Sequence, residues 1–187
     1  MTAESCAFPG SGAAPTTDAM ADAPAPRGND ETGARARYDI LRTARTVAIV
    51  GASDNTARAS YFVGSYLLGS SSYEVFFVNP RATTVLGRPA FASLADLPTT
   101  PDIVDVFRRH EDLPAVAEEA VARGAGTLWL QLGSINDKAA GVARAGGLQV
   151  VMDRCIKVEH ARFYGGLRLA GFDTGVISSK RQIVARR

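Results

Sequence analysis

The chain has 187 residues, 46% of them hydrophobic, and 21 Lys and Arg against 19 Asp and Glu give a formal charge of +2 at pH 7. That length and apolar share suit one globular domain whose core needs no disulfides or metals, and a nearly balanced charge with both signs mixed along the chain offers no field for nucleic acid. Cys6 and Cys155, with His110 and His160, are too few and too widely spread for a disulfide framework or the usual four-ligand zinc site, and no apolar run reaches the roughly 18 residues needed to span a bilayer.

From Met1 to Arg37 the chain is Ala, Pro, Thr, Gly and Asp with almost no large apolar residue. Such a stretch cannot bury enough surface to offset its ordering entropy, so residues 1–37 are expected to be a disordered leader. Met1 to Asp30 has neither the basic start nor the apolar run of a secretory signal. A reducing cytoplasm with free thiols is the expected setting. The folded domain is expected to begin near Tyr38 with a short helix to Ala44 and to run to residue 160, with 161–187 as a C-terminal extension.

Five continuous apolar runs then follow: Thr46 to Val50, Glu74 to Val78, Ile103 to Phe107, Thr127 to Leu132 and Leu148 to Met152. Unbroken apolar character, as opposed to alternation, marks strands buried on both faces, as in a parallel sheet. Amphipathic stretches lie between them. Ser60 to Leu68, Leu113 to Arg123 and Ile135 to Ala145 each carry a helical apolar stripe, and a helical turn is expected at Leu94 to Leu97 after the short run Pro89-Ala90-Phe91. Repeated strand, helix, strand units require right-handed crossovers, which predicts an α/β, doubly wound parallel sheet in three layers. Ligands of such folds lie beyond the carboxyl ends of the strands.

The first such end is Val50-Gly51-Ala52-Ser53-Asp54-Asn55-Thr56. A glycine leaving a strand toward a helix whose first amides are open is the outline of a phosphate site. The dinucleotide pattern G-x-G-x-x-G would need glycines where Ser53 and Thr56 stand, so phosphate is indicated without NAD. Gly51 as a plain tight turn, with Ser53 capping the helix, accounts for the same residues.

The second strand ends in Asn79-Pro80-Arg81, where NAD-binding folds carry an acid for the ribose hydroxyls. Asn79 is neutral, Pro80 fixes the turn, and Arg81 offers a guanidinium suited to a phosphate on a ribose. A 3'-phosphorylated adenosine carrier or NADP would fit. Arg58, near the first helix start, is a second candidate cation. A lone arginine of this kind is more often a solvated surface residue; two after adjacent strands are harder to dismiss.

Taken together, Val50-Gly51-Ala52-Ser53, Ser60-Tyr61, Val78-Asn79-Pro80-Arg81, Ser93 to Pro98, Asp102 to Arg109, Trp129 to Gly133 and Val151 to Cys155 resemble the bacterial CoA-binding-domain proteins of the YccU type, related to the nucleotide-binding domain of the succinyl-CoA synthetase alpha subunit. The resemblance covers roughly Arg45 to Glu159. It implies a Rossmann-like domain that holds coenzyme A or an acyl-CoA, with Gly51, Ala52 and Ser53 at the pyrophosphate and Asn79, Pro80 and Arg81 beside the adenosine. It further implies that Tyr61, Phe107, Arg108, Gln131, Gly133, Ser134 and Ile135 line the ligand's path. The related synthetases also use a phosphohistidine from a separate domain, for which there is no length here, so a sensor or carrier without ligase activity is implied.

Cys155 follows the last strand, where Arg154 and Lys157 are expected to lower its pKa. It is read either as a buried structural cysteine or as a residue that joins the CoA thiol in a disulfide or takes an acyl group. His110 and His160 have no partner pattern of a catalytic base, and both are expected to be exposed. Asp102 and Asp105, three apart in an extended run, fall on opposite faces, with Asp105 expected to cap or pair locally. Arg108-Arg109 is a basic pair able to meet phosphate. The tail, with Gly165-Gly166, Gly171 to Gly175 and Ser178 to Arg181, would wrap a phosphate, cover the sheet edge or dock on a second copy in a homo-oligomer. Two further functions are weighed against CoA binding. An NADP-dependent oxidoreductase lacks the glycine pattern and a proton donor at a strand end, and an interaction domain that has lost its ligand is compatible with the fold alone.

Overall fold

The computed structural model describes residues 33–164. Seven strands form one sheet in the order β3-β4-β2-β1-β5-β6-β7: β1 is Thr46–Val50, β2 Glu74–Val78, β3 Thr84–Val85, β4 Arg88–Phe91, β5 Ile103–Val106, β6 Thr127–Leu130 and β7 Gln149–Val151. All neighbouring pairs are parallel except the short hairpin β3–β4. From β1 the chain winds outward through β2 and β4, returns to β5 on the other side of β1, and winds outward again through β6 and β7. The architecture is the expected doubly wound, Rossmann-like α/β domain, and its order reverses between β1 and β5.

Helices cover both faces. Side chains alternate along each strand, so Ala48, Val50, Val104, Val106, Leu128 and Leu130 form one core layer, under α3 (Leu113–Arg123) and α4 (Asp137–Ala145). Val47, Ile49, Ile103 and Trp129 belong to the other layer, under α1 (Ala34–Thr43), α2 (Ala59–Ser70) and α5 (Ile156–Tyr164). Asp105 pairs in register with Ile49 and Trp129, so its carboxylate enters this second, otherwise apolar layer.

Three elements differ from the expectations. α1 begins at Ala34, so Ala34 to Arg37 belong to the folded domain; Arg37 is buried and its Nε lies 2.8 Å from Glu159 on α5. α5 was not anticipated, and it runs through the expected boundary at residue 160 to Tyr164. The hairpin of β3 and β4 adds two short strands to the five expected, whereas α2 starts at Ala59, one residue from the expected Ser60, after a loop from Gly51 to Arg58. The remainder of the leader, Cys6 and the glycine and hydroxyl motifs of the tail lie outside the described residues.

His160 is buried, against expectation, with Nδ1 3.0 Å from the Tyr66 hydroxyl and its ring stacked on Tyr164; burial holds its pKa below the usual histidine value. Asp102 ties the other end of the sheet. Against a burial that would raise its pKa, hydrogen bonds donated by the Arg45 and Thr46 amides and the Thr46 hydroxyl hold it below the ordinary carboxylate range.

Candidate functional site

A cavity of about 580 Å³ opens at the carboxyl ends of β1, β5 and β6, at the point where strand order reverses. Gly51 supplies the wall after β1, Val106 to Arg109 the wall after β5, and Gln131, Leu132 and Ser134 the wall after β6. α2 closes one side with Arg58, Ala59, Ser60 and Val63, and the start of α5 closes another with Cys155 and Val158. A cavity at this place is what a doubly wound sheet produces, because the two crossover directions leave a crevice between their first loops.

Gly51 is required there by packing. Its φ is +83°, and a Cβ on it would lie 2.2 Å from the Phe107 carbonyl oxygen. The β1 and β5 loops therefore pass in backbone contact, which only glycine permits. The Phe107 amide donates to the Val50 carbonyl at 2.8 Å and the Gly51 amide to Val78 at 2.9 Å, so the floor of the crevice is rigid.

The loop that follows does not form the helix-start phosphate turn expected of Gly51, Ala52 and Ser53. Ala52 is fully buried, and its carbonyl accepts from Asn79 Nδ2 at 2.7 Å. The Ser53 hydroxyl accepts from the Asn55 amide at 3.2 Å and caps no helix. The helix N-terminus that meets the cavity belongs instead to Arg58, Ala59 and Ser60, with Arg58 at the cap position and Ser60 buried. Asp54 and Asn55 are spent on loop contacts: Asn55 Oδ1 accepts the Ala57 amide at 2.9 Å, and Asp54 Oδ1 accepts the Leu86 amide at 2.6 Å and pins the loop to the β3–β4 turn.

The electrostatics of the cavity follow from its walls. Arg58, Arg108 and Arg109 line it, and no carboxylate does. Arg109 is partly neutralised by Glu111 at 3.0 Å and Asp112 at 3.8 Å, whereas Arg58 and Arg108 make no ion pair among the described residues. An anion entering the crevice thus meets two uncommitted guanidinium groups and the positive end of α2.

Of the residues expected at the site, Gly51, Arg58, Phe107, Arg108, Gln131, Ser134 and Cys155 line the cavity together. The others do not line it. Tyr61 stacks edge-on against Phe62 on α2. Asn79, Pro80 and Arg81 lie one strand over, at the end of β2, where Asn79 Oδ1 accepts the Arg81 amide at 2.9 Å and Arg81 is exposed. The Gly133 amide is used by Asp153 Oδ1 at 2.7 Å, and Ile135 is exposed, its carbonyl 2.8 Å from His110 Nε2. Sequence reasoning did not name Ala59, Ser60, Val63, Val106, Leu132 and Val158 as site residues; the motif Ser60-Tyr61 was the available signal, and Ser60, not Tyr61, faces the cavity.

Behind the wall lies a carboxyl group that local capping does not explain. Asp105 is fully buried, with Oδ1 accepting from Gln131 Nε2 and Oδ2 without a hydrogen-bond partner. Burial pushes its pKa up to about 8, and the bond from Gln131 opposes this only in part. Cys155 is half-buried in the cavity wall just before α5. Burial raises its thiol pKa, and the nearby Asp105 carboxylate raises it further. The amides of Val158 and Lys157 and the Lys157 ammonium act in the opposite sense and are outweighed, so the expected lowering by Arg154 and Lys157 does not prevail. Among the described residues no group of three His, Cys, Asp or Glu side chains is arranged to hold a metal ion, and no helix is long and apolar enough to cross a membrane.

Residues 45–161 match the CoA binding domain family. The protein YneT of Bacillus subtilis (strain 168) is 42% identical over 123 residues, covering 66% of this chain and 90% of YneT. Among solved structures, a hypothetical protein from Pyrococcus horikoshii OT3 superposes with a TM-score of 0.71 at 34% identity, over 74% of this chain and 97% of that one. The structure of cell-free ID.343 from Thermus thermophilus gives a TM-score of 0.66 at 35% identity, over 71% of this chain and 99% of its own.

Proposed function

The chain belongs to the CoA binding domain family, and from that premise we propose that it binds coenzyme A or an acyl-CoA in the cavity between the ends of β1, β5 and β6. The observation that carries this reading is the pairing of an anion-seeking wall with an apolar, thiol-bearing recess in one crevice. Arg58 at the N-terminus of α2 and Arg108 after β5 suit a diphosphate, since guanidinium groups give paired charge-assisted hydrogen bonds and the helix end adds its open amides. Val63, Leu132 and Val158 suit the less polar arm that ends in sulfur. Arg81, exposed one strand away, is assigned to the 3'-phosphate of the adenosine.

The protein acts on this reading as a sensor or carrier of the cofactor. Asn79 stands where an NAD-dependent enzyme would hold a ribose with an acid, which speaks against NAD, and Ser53 and Thr56 in place of the dinucleotide pattern's glycines speak against NADP.

Thermal melting with CoA and with NADP in parallel tests the assignment. A ligand at a hundred times its dissociation constant stabilises by about 2.7 kcal/mol. A rise in melting temperature with CoA and none with NADP supports the proposal; a rise with NADP alone, or with neither, rejects it.

A further inference from the structure

Asp105 is fully buried in an otherwise apolar layer, and its carboxyl group has one hydrogen bond, donated by Gln131 Nε2 to Oδ1. If the pair served the sheet alone, two apolar residues would do so at less cost, because a buried acid with an unpartnered oxygen is expensive to keep. The other end of the Gln131 amide points to a different task. Gln131 lines the cavity, and its Oε1 accepts no hydrogen bond among the described residues. Yet the sealed and unpartnered side-chain polar atoms of those residues are Asp105 Oδ2 and Arg123 Nε, so Gln131 Oε1 is open, and the space beside it is the cavity.

Asp105 decides which end of the amide faces the ligand. An ionised carboxyl has no hydrogen to give, so Gln131 must turn Nε2 toward it and Oε1 away; the reverse would set two acceptor oxygens against each other in a medium of low dielectric. Of the side chains that line the cavity, the arginines only donate, and Ser60 and Ser134 carry hydroxyls that both donate and accept. Gln131 Oε1 is the one lining side-chain oxygen that only accepts. We propose that Gln131, held in this sense by Asp105, accepts a hydrogen bond from an amide N–H of the ligand's arm, with Gln131 as a specificity residue of the site and Asp105 as its positioning residue. This rests on the reading of the cavity as a CoA site and adds to it the recognition of the amide-bearing arm that joins the diphosphate to the sulfur.

The same geometry ties the contact to the charge on Asp105. A neutral carboxyl can donate to Oε1, and the amide is then free to turn Nε2 to the cavity. Burial places this change at about pH 8. Ile49 and Trp129 flank Asp105 in the sheet. Around the cavity stand Arg58 from α2, Arg108 and Arg109 after β5, and Cys155 before α5 with Lys157 near it. Of the elements over the layer, α1 and α5 pair Arg37 with Glu159. Burial pushes the Cys155 thiol and the Tyr66, Tyr73 and Tyr164 hydroxyls up and His160 down, so each of these shifts leads away from pH 8.

Calorimetric titration of the full chain with CoA and with adenosine 3'-phosphate 5'-diphosphate, a nucleotide that ends where the arm begins, tests this. Gln131→Met removes the acceptor at similar volume and is expected to weaken CoA about ten-fold more than the armless nucleotide. Asp105→Asn, which no longer dictates the turn of the amide, is expected to lose about three-fold in the same comparison at pH 9. The CoA affinity of wild type relative to either variant is expected to rise about five-fold from pH 7 to 9, as the carboxyl ionises. Equal losses of the two ligands in Gln131→Met overturn the inference and leave the CoA reading standing; a wild type that binds neither ligand overturns both. A relative affinity that stays flat over that pH range overturns the part of Asp105. If one variant does not fold, the other supplies both comparisons.

Discussion

Gln131 Nε2 donates to Asp105 Oδ1 across adjacent strands, and this single bond is all that holds a carboxyl group sunk in the apolar layer between Ile49 and Trp129. Of the pair, Gln131 lines the cavity while Asp105 stays buried in the sheet behind it.

The first prediction concerns pH. Asp105 titrates near 3.8 when unfolded and about 8 when folded, so between those values the folded chain holds a proton that the unfolded chain has released. Stability from this group is therefore greatest below pH 4, is lost progressively as pH rises toward 8, and is level above it. Melting of Asp105→Asn across pH 5 to 8 should show a flatter profile than wild type, with the variant gaining on the order of 5 °C relative to wild type by pH 8. Parallel profiles for the two proteins would mean that the carboxyl is not titrating in this window.

The second concerns Gly51. Alanine there would place its Cβ 2.2 Å from the Phe107 carbonyl and demand a φ of +83°. Urea denaturation should show a loss of roughly 2–4 kcal/mol, combining overpacking with left-handed backbone strain. Gly87 also has a positive φ but open space around it, so Gly87→Ala should cost only about 1 kcal/mol. Equal losses at the two positions would remove the argument that the β1 and β5 loops must touch.

The third concerns Arg37 and Glu159, an ion pair at 2.8 Å with both side chains almost wholly buried. Arg37→Ala strands the Glu159 charge, with Arg162 at 3.7 Å as its remaining cation, and should cost about 3–5 kcal/mol in urea denaturation. Replacing both partners by apolar residues of similar volume should cost less than the single change. A single-change loss below about 1 kcal/mol would show that α1 is not docked on α5 through this pair.

The fourth separates the arginines. Arg108→Ala should weaken CoA and dephospho-CoA alike, by roughly ten-fold, through loss of a charge-assisted contact to the diphosphate. Arg81→Ala should weaken CoA more than dephospho-CoA. Calorimetric titration of both ligands decides it, and equal losses on Arg81→Ala would contradict its assignment to the 3'-phosphate.

Much of this architecture is legible in sequence because the β1, β2, β5, β6 and β7 runs are apolar on both faces, a pattern that parallel strands produce and solvated ones do not. What escaped reading shares one cause. The first turn of α1 and the whole of α5 bury charged or polar side chains, Arg37 against Glu159 and His160 against Tyr66, so neither presents a clean apolar stripe. Asp105 lay hidden for another reason: within Ile103-Val104-Asp105-Val106 it reads as an interruption, and only the pairing register shows that it enters the core beside Ile49 and Trp129. The path of the loop after β1 depends on Asp54 and Asn55, which bond within the loop and to the β3–β4 turn, contacts that residue spacing does not reveal.

Crystals grown or soaked with CoA would test the central claim most directly. The account predicts electron density in the crevice at the β1–β5 switch point, with the diphosphate against Arg58 and Arg108 at the head of α2 and the sulfur near Cys155. Density for the cofactor on some other surface, with solvent alone in this crevice, would contradict it.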